Sequence, residues 1–181
     1  MKKILFILLA IICIPVSSFA ISLSTLQNNP EKYLKISEDY EYEHYLDLGS
    51  VKSIRYSPPY YTISANTYTV DYESNLIFSD SNIYNYDYNY SRKLTRIRII
   101  SEMNEKWEPL NEEIVKSRVE EALHENSGIS STVTLLADWA FDGRLIKRMP
   151  PNYTFHGDTH YGTPDYCMAN AVYKAYYNQD F

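Results

Sequence analysis

Disulfide chemistry is all but absent from this chain. Two cysteines occur in 181 residues, and Cys13 lies inside an apolar N-terminal run, which leaves Cys167 alone in the remainder. Once that run is removed no intramolecular disulfide can form, and Cys167, set among apolar residues in an expected helix, reads as a buried thiol. Glycine is scarce too. The five glycines make no phosphate-cradling loop, and no Gly-x-Ser-x-Gly frames a nucleophilic serine. Cationic charge is also short: apart from Lys2 and Lys3, 15 basic side chains face 23 acidic ones, a formal charge of −8. Such a surface repels phosphate backbones, so nucleic acid is excluded as an expected partner.

The single long hydrophobic run opens the chain. Lys2 and Lys3 precede an apolar stretch from Ile4 to Val16, broken only by Pro15, and Ser18-Phe19-Ala20 places small residues at a cleavage point. This is the pattern of a secretory signal peptide over residues 1–20, too short for a bilayer span, with no transmembrane segment after cleavage. Lipid attachment through Cys13 is disfavoured by the bulky Ile12 before it. The mature chain, residues 21–181, is expected outside the cytoplasm of a bacterium as a periplasmic, cell-surface or secreted protein. Its length of about 161 residues suits one domain burying roughly 70% of its unfolded surface.

What the chain has in abundance is tyrosine: 19, against 6 Phe and 2 Trp. The ring is apolar and the hydroxyl seeks a polar partner, which suits both a thin-cored sheet and a contact surface. Short strands are expected at Tyr33–Ile36, Tyr40–Leu48 and Val51–Tyr56, with Ser57-Pro58-Pro59 as a stop. Asp47-Leu48-Gly49-Ser50 is turn chemistry. Tyr60–Tyr72 alternates as a long strand, Glu73-Ser74-Asn75 turns the chain, and Leu76–Phe78 returns it. Tyr84, Tyr86, Tyr88 and Tyr90 then occur at strict period two, which puts all four on one face of a strand, with Asn85, Asp87 and Asn89 on the other. Leu94–Ile100 continues the alternation, with Ile97 and Ile99 opposite Arg96 and Arg98.

Period 3.6 appears later. Asn111 caps a helix to Asn126 with Val115, Val119, Ala122 and Leu123 in one stripe. A second runs from Pro164 to Tyr177, capped by Thr163, with Ala169, Val172, Tyr173 and Tyr176 as its stripe. Ser131–Phe141 fits strand and helix about equally, with a slight preference for strand. The expected fold is α+β: an antiparallel, tyrosine-rich sheet of about five strands with two amphipathic helices from the C-terminal half covering one face.

Two groups of residues are candidates for function. Tyr84, Tyr86, Tyr88 and Tyr90 either line the inner face beneath a helix or stay exposed, where they could stack on sugars or grip a protein. His156, Asp158 and His160 alternate along an extended segment, a spacing that could hold zinc with a coordination site left for water. The alternative to that site is a polar loop. Arg96 and Arg98 are expected to pair with neighbouring acids, and His44 and His124 stand alone. No cofactor is expected.

The leader, Tyr45-Leu46-Asp47-Leu48-Gly49-Ser50-Val51 and the strands after it resemble small exported bacterial proteins related to the surface-adhesin E group. The shared pattern is Asp47, Ser50 and Val51 within residues 40–80. The resemblance implies an envelope or adhesin setting rather than a mechanism. The resulting expectation is an exported, non-enzymatic binding module that meets a protein or glycan of the envelope or host surface through its tyrosine face. The competing expectation is a metal-dependent hydrolase built on His156, Asp158 and His160.

Overall fold

The computed structural model describes residues 20–181, so the expected leader lies outside the described residues except for Ala20. The elements run α1 (Leu23–Gln27), β1 (Tyr33–Glu38), β2 (Tyr42–Asp47), β3 (Lys52–Ser57), β4 (Tyr60–Asp71), β5 (Leu76–Asp87), α2 (Arg92–Glu105), α3 (Glu112–Glu125), β6 (Ile129–Ala140), β7 (Leu145–Arg148), β8 (Thr154–Asp158) and α4 (Pro164–Tyr177). The fold is α+β, as expected, but the antiparallel sheet has eight strands rather than about five. Three 12-residue strands, β4, β5 and β6, form its spine. On one side β3 and β2 pair with successive halves of β4, with β1 outside β2. On the other, β8 and β7 pair with successive halves of β6.

Two departures reshape the sheet. The expected short return at Leu76–Phe78 runs without a break into the tyrosine tract, because Ser79 and Asn82 between them find partners inside the sheet. The Ser79 hydroxyl donates to the Ala137 carbonyl at 2.9 Å, and the Asn82 amide donates to Thr67 Oγ1 at 2.7 Å. The stretch after Phe141 supplies β7, where no element was expected, and β8, which carries the extended segment expected around His156 and Asp158. Residues 131–141 resolve as strand through Ala140.

Leu94–Ile100 is helix, not strand. Ser91 caps α2, and Thr95, Ile99 and Met103 recur every fourth residue on its buried side. Ile99 and Met103 pack on Val115, Val119 and Leu123 of α3, with Ala122 of the expected stripe partly buried beside them, so the two helices close a small core of their own. The strand-like alternation of Ile97 and Ile99 is incidental: Ile97 is exposed, and Arg96 forks onto the Glu112 carboxylate at 2.7 and 2.8 Å. Of the two helices expected to cover the sheet, only the C-terminal one does so.

That helix is α4. Thr163 Oγ1 accepts from the Tyr166 N–H, Pro164 sits in the first turn, and Tyr166, Met168, Ala169, Val172 and Tyr173 are buried. Each fully buried side chain of Val172 size contributes about 2 kcal/mol. The stripe is rotated relative to expectation. Tyr176 is exposed, and Tyr177 instead packs on Tyr61 and Tyr173. Cys167, expected buried, is exposed because its helical neighbours take the inward positions.

The two sheet faces are covered at opposite ends. Beneath α4, the main core joins Leu46, Ile63, Ala65, Tyr84, Tyr86 and Ile129 to the helix and to Phe181. On the other face, Ile21, Leu26 and Tyr33 cover Tyr45, Val70 and Ile77 only. The Asp47–Ser50 turn forms as expected. Asp47 accepts from the Gly49 N–H at 3.0 Å, and Ser50 Oγ donates to the Asp47 carbonyl while accepting from the Asn66 N–H at 2.7 Å.

Candidate functional site

The four tyrosines of the period-two tract do not share an exposed face. Tyr84 and Tyr86 are 4% and 1% exposed and point beneath α4, where the Tyr86 hydroxyl donates to the Ala169 carbonyl at 2.8 Å. Burial raises both phenols well above their ordinary range. The strand ends at Asp87, so Tyr88 and Tyr90 fall in a single tight helical turn and leave the alternation. Tyr88 packs on Tyr173 and Phe181, and Tyr61, Tyr86 and Tyr177 complete an aromatic cluster with centroids 4.8 to 6.4 Å apart. Of the inner-face and exposed readings, the inner one describes Tyr84 and Tyr86.

His156 and Asp158 do share a face of β8, as alternation requires. His156 Nδ1 hydrogen-bonds Thr132 Oγ1 at 2.9 Å. His160, beyond the strand, turns its Nδ1 to the His124 carbonyl at 3.3 Å. The three are therefore not brought together as a donor set, and among the described residues no three His, Cys, Asp or Glu side chains are grouped to hold a metal. His44 is half-buried beside Thr69, and desolvation lowers its pKa.

The face on which His156 and Asp158 lie is the one α4 does not cover. Across β3, β4, β5, β6 and β8 the register puts Arg55, Thr62, Asn85, Ser130 and Asp158 directly opposite one another in one line. A second line, two residues along, is Lys52, Ser64, Ile83, Thr132 and His156. Small alcohols and an amide occupy the middle of the lines, with charged or imidazole side chains at the ends, and neighbours bond across the strands: Thr62 Oγ1 donates to Asn85 Oδ1 at 2.9 Å, and Thr132 Oγ1 meets His156 Nδ1 at 2.9 Å. Such cross-strand pairs hold side chains in place on an open sheet surface.

One end of this face deepens into an open cleft of about 570 Å³, floored by Thr62, Asn85 and Ser130. The end of α3 and the segment Asn126–Gly128 form one wall, and Tyr60 and Tyr90 supply rings. Gly128 is required for that wall. Its φ is +69°, and a Cβ there would lie 2.5 Å from Tyr90 Cβ and 2.8 Å from the Asp87 carbonyl oxygen. Asp87, Glu125 and Asp158 give the cleft an acidic rim, balanced in part by Arg55, whose guanidinium lies 5.6 Å from the Tyr60 ring centre. The arrangement can exchange many hydrogen bonds with a ligand rich in hydroxyl or amide groups.

Sequence reasoning followed the apolar phase of each strand and so passed over this face. The alternation of Ser130, Thr132 and Thr134, in phase with Asn85 across the sheet, was the available signal. No family model, curated protein or solved structure matches the chain. Among the described residues, no helix is long and apolar enough to cross a membrane.

Proposed function

We propose that the chain is an exported, non-enzymatic binding module of the bacterial envelope, periplasmic, cell-surface or secreted. Its contacts are made through the uncovered polar face of β3, β4, β5, β6 and β8. The observation that carries this reading is the pair of side-chain lines running over five strands, open to solvent and ending in a cleft. A sheet face built only for solubility needs scattered charges. This one instead gathers hydroxyl and amide groups at the middle of its lines and keeps charged side chains to their ends, the chemistry of recognition by hydrogen bonding.

Export rests on Lys2, Lys3, the apolar run and Ser18-Phe19-Ala20, and the envelope setting on the resemblance of the Asp47–Val51 turn to exported adhesin-related proteins. Since Tyr84 and Tyr86 are core residues, the contact side is the opposite one, which bears Asn85. Co-sedimentation with isolated envelope material tests the reading. Ser130→Trp, which plants a bulky ring mid-face, should abolish retention, whereas Tyr176→Ser on the exposed side of α4 should retain it. A folded Ser130→Trp variant that sediments like the wild type sinks the proposal.

A further inference from the structure

We infer that the uncovered face holds a linear, uncharged glycan, an extended β-linked strand of N-acetylated sugars, laid across the β-strands at right angles to them. This rests on the binding-module reading and gives it a ligand class.

The geometry makes the first argument. Arg55, Thr62, Asn85, Ser130 and Asp158 are direct cross-strand partners, so their side chains rise in one row. Strands lie ~4.8 Å apart, which makes the row about 19 Å long over its four spacings. The spacing is close to the length of one pyranose unit in an extended β-1,4-linked chain. Each sugar therefore advances by about one strand spacing, and the row takes about four of them between its first and last side chains.

Chemistry narrows the class further. β4, β5 and β6 are paired on both sides, so over the middle of this face the backbone groups are engaged and an added peptide strand finds no ladder to join there. Recognition must come from side chains, and those present offer hydroxyl and amide groups suited to sugar hydroxyls and acetamides. Asn85 Oδ1 accepts from Thr62, which orients the Asn85 amide protons for an incoming acceptor. Apolar contacts for the sugar C–H faces are also supplied: Tyr60 is 47% exposed on the Thr62 side of β4, and Ile83 is 37% exposed at the centre of the second line. Around the cleft Asp87, Glu125 and Asp158 outnumber Arg55 and disfavour phosphorylated, sulfated or uronic-acid glycans, while Thr62, Asn85 and Ser130 at the middle of the first line carry no charge. What remains is a neutral strand.

Calorimetric titration with β-1,4-linked N-acetylglucosamine oligomers of two to six units tests the inference. Affinity should rise with each unit up to about four and then level off. An α-1,4-linked glucose oligomer, a sulfated glycan of equal length and spermine should bind more weakly. Asn85→Ala should weaken the four-unit oligomer about fivefold to tenfold, and Tyr176→Ser should leave it unchanged. Should Asn85→Ala fold poorly, mapping amide shifts of the isotope-labelled wild type on adding the oligomer makes the same test, with changes expected at Thr62, Asn85 and Ser130. Flat length dependence, or equal or tighter binding of the sulfated glycan or spermine, overturns the ligand class. Envelope retention blocked by Ser130→Trp with no oligomer binding overturns this inference and leaves the binding-module reading standing.

Discussion

Replacing Asp80 by Asn should flatten the pH dependence of stability and stabilise the protein at alkaline pH. Asp80 lies on β5 where the register with β6 shifts, between the Ser79–Ala137 and Asp80–Leu135 pairs. Its Oδ1 atom is buried with no hydrogen-bond partner. Burial, and then the nearby charge of Asp138, push the carboxyl from 3.8 up to about 7. One pKa unit corresponds to about 1.4 kcal/mol, so a shift of about three units sets a ceiling of about 4 kcal/mol. Asp80 keeps an open side, and solvent screening there reduces the expected figure to about 2 kcal/mol. The sign follows from counting protons. Between the unfolded value near 4 and the folded value near 7, the native state holds a proton that the unfolded chain has released. This contribution to stability is therefore complete at the acid end and lost as pH rises through about 7. Asn keeps the shape of the protonated carboxyl without titrating. Urea unfolding at several pH values, followed by tryptophan fluorescence, should find Asp80→Asn more stable than wild type by about 2 kcal/mol at pH 8 and nearly equal to it at pH 4. Parallel curves, or a variant weaker at pH 8, would refute the reasoning.

Three further substitutions probe other parts of the fold. Tyr86→Phe removes the hydroxyl that donates to the Ala169 carbonyl inside the core, and denaturant titration should find a loss of about 1 to 2 kcal/mol. Gly128→Ala forces a Cβ against Tyr90 and Asp87 at a φ of +69°. It should lower stability by about 2 kcal/mol or more and disturb the cleft wall. Trp107 takes a left-handed conformation (φ 58°) after α2 and is almost fully exposed, while the next N–H, that of Glu108, returns to the Met103 carbonyl at 2.9 Å. Glycine is the residue that suits this position, so Trp107→Gly should raise the melting temperature, by about 1 kcal/mol in stability.

Where the determinants were local, the sequence was legible. Thr163 and Pro164 start α4, Asn111 starts α3, and Asp47, Gly49 and Ser50 make their turn through bonds among near neighbours. The errors share one cause, a periodicity that only tertiary contact could decide. Ile97 and Ile99 alternate like a strand, yet the fourfold spacing of Thr95, Ile99 and Met103 found a partner in α3, and the helix won. Ser79 to Asn82 read as a break because their partners, Ala137 and Thr67, are distant in sequence. The polar face was hidden for a related reason. Thr62, Asn85 and Ser130 carry no hydrophobic signal, and they align only because two long strand pairings set their register.

The central claim is that ligands meet the polar face and not the tyrosine cluster. The most direct measurement is mapping of amide and side-chain shifts on isotope-labelled protein as solubilised envelope glycan and protein fractions are added. The account predicts changes clustered at Thr62, Asn85, Ser130 and Thr132, with Tyr173 and Tyr177 silent. Changes centred on α4 and its tyrosines, with the polar face unmoved, would contradict it.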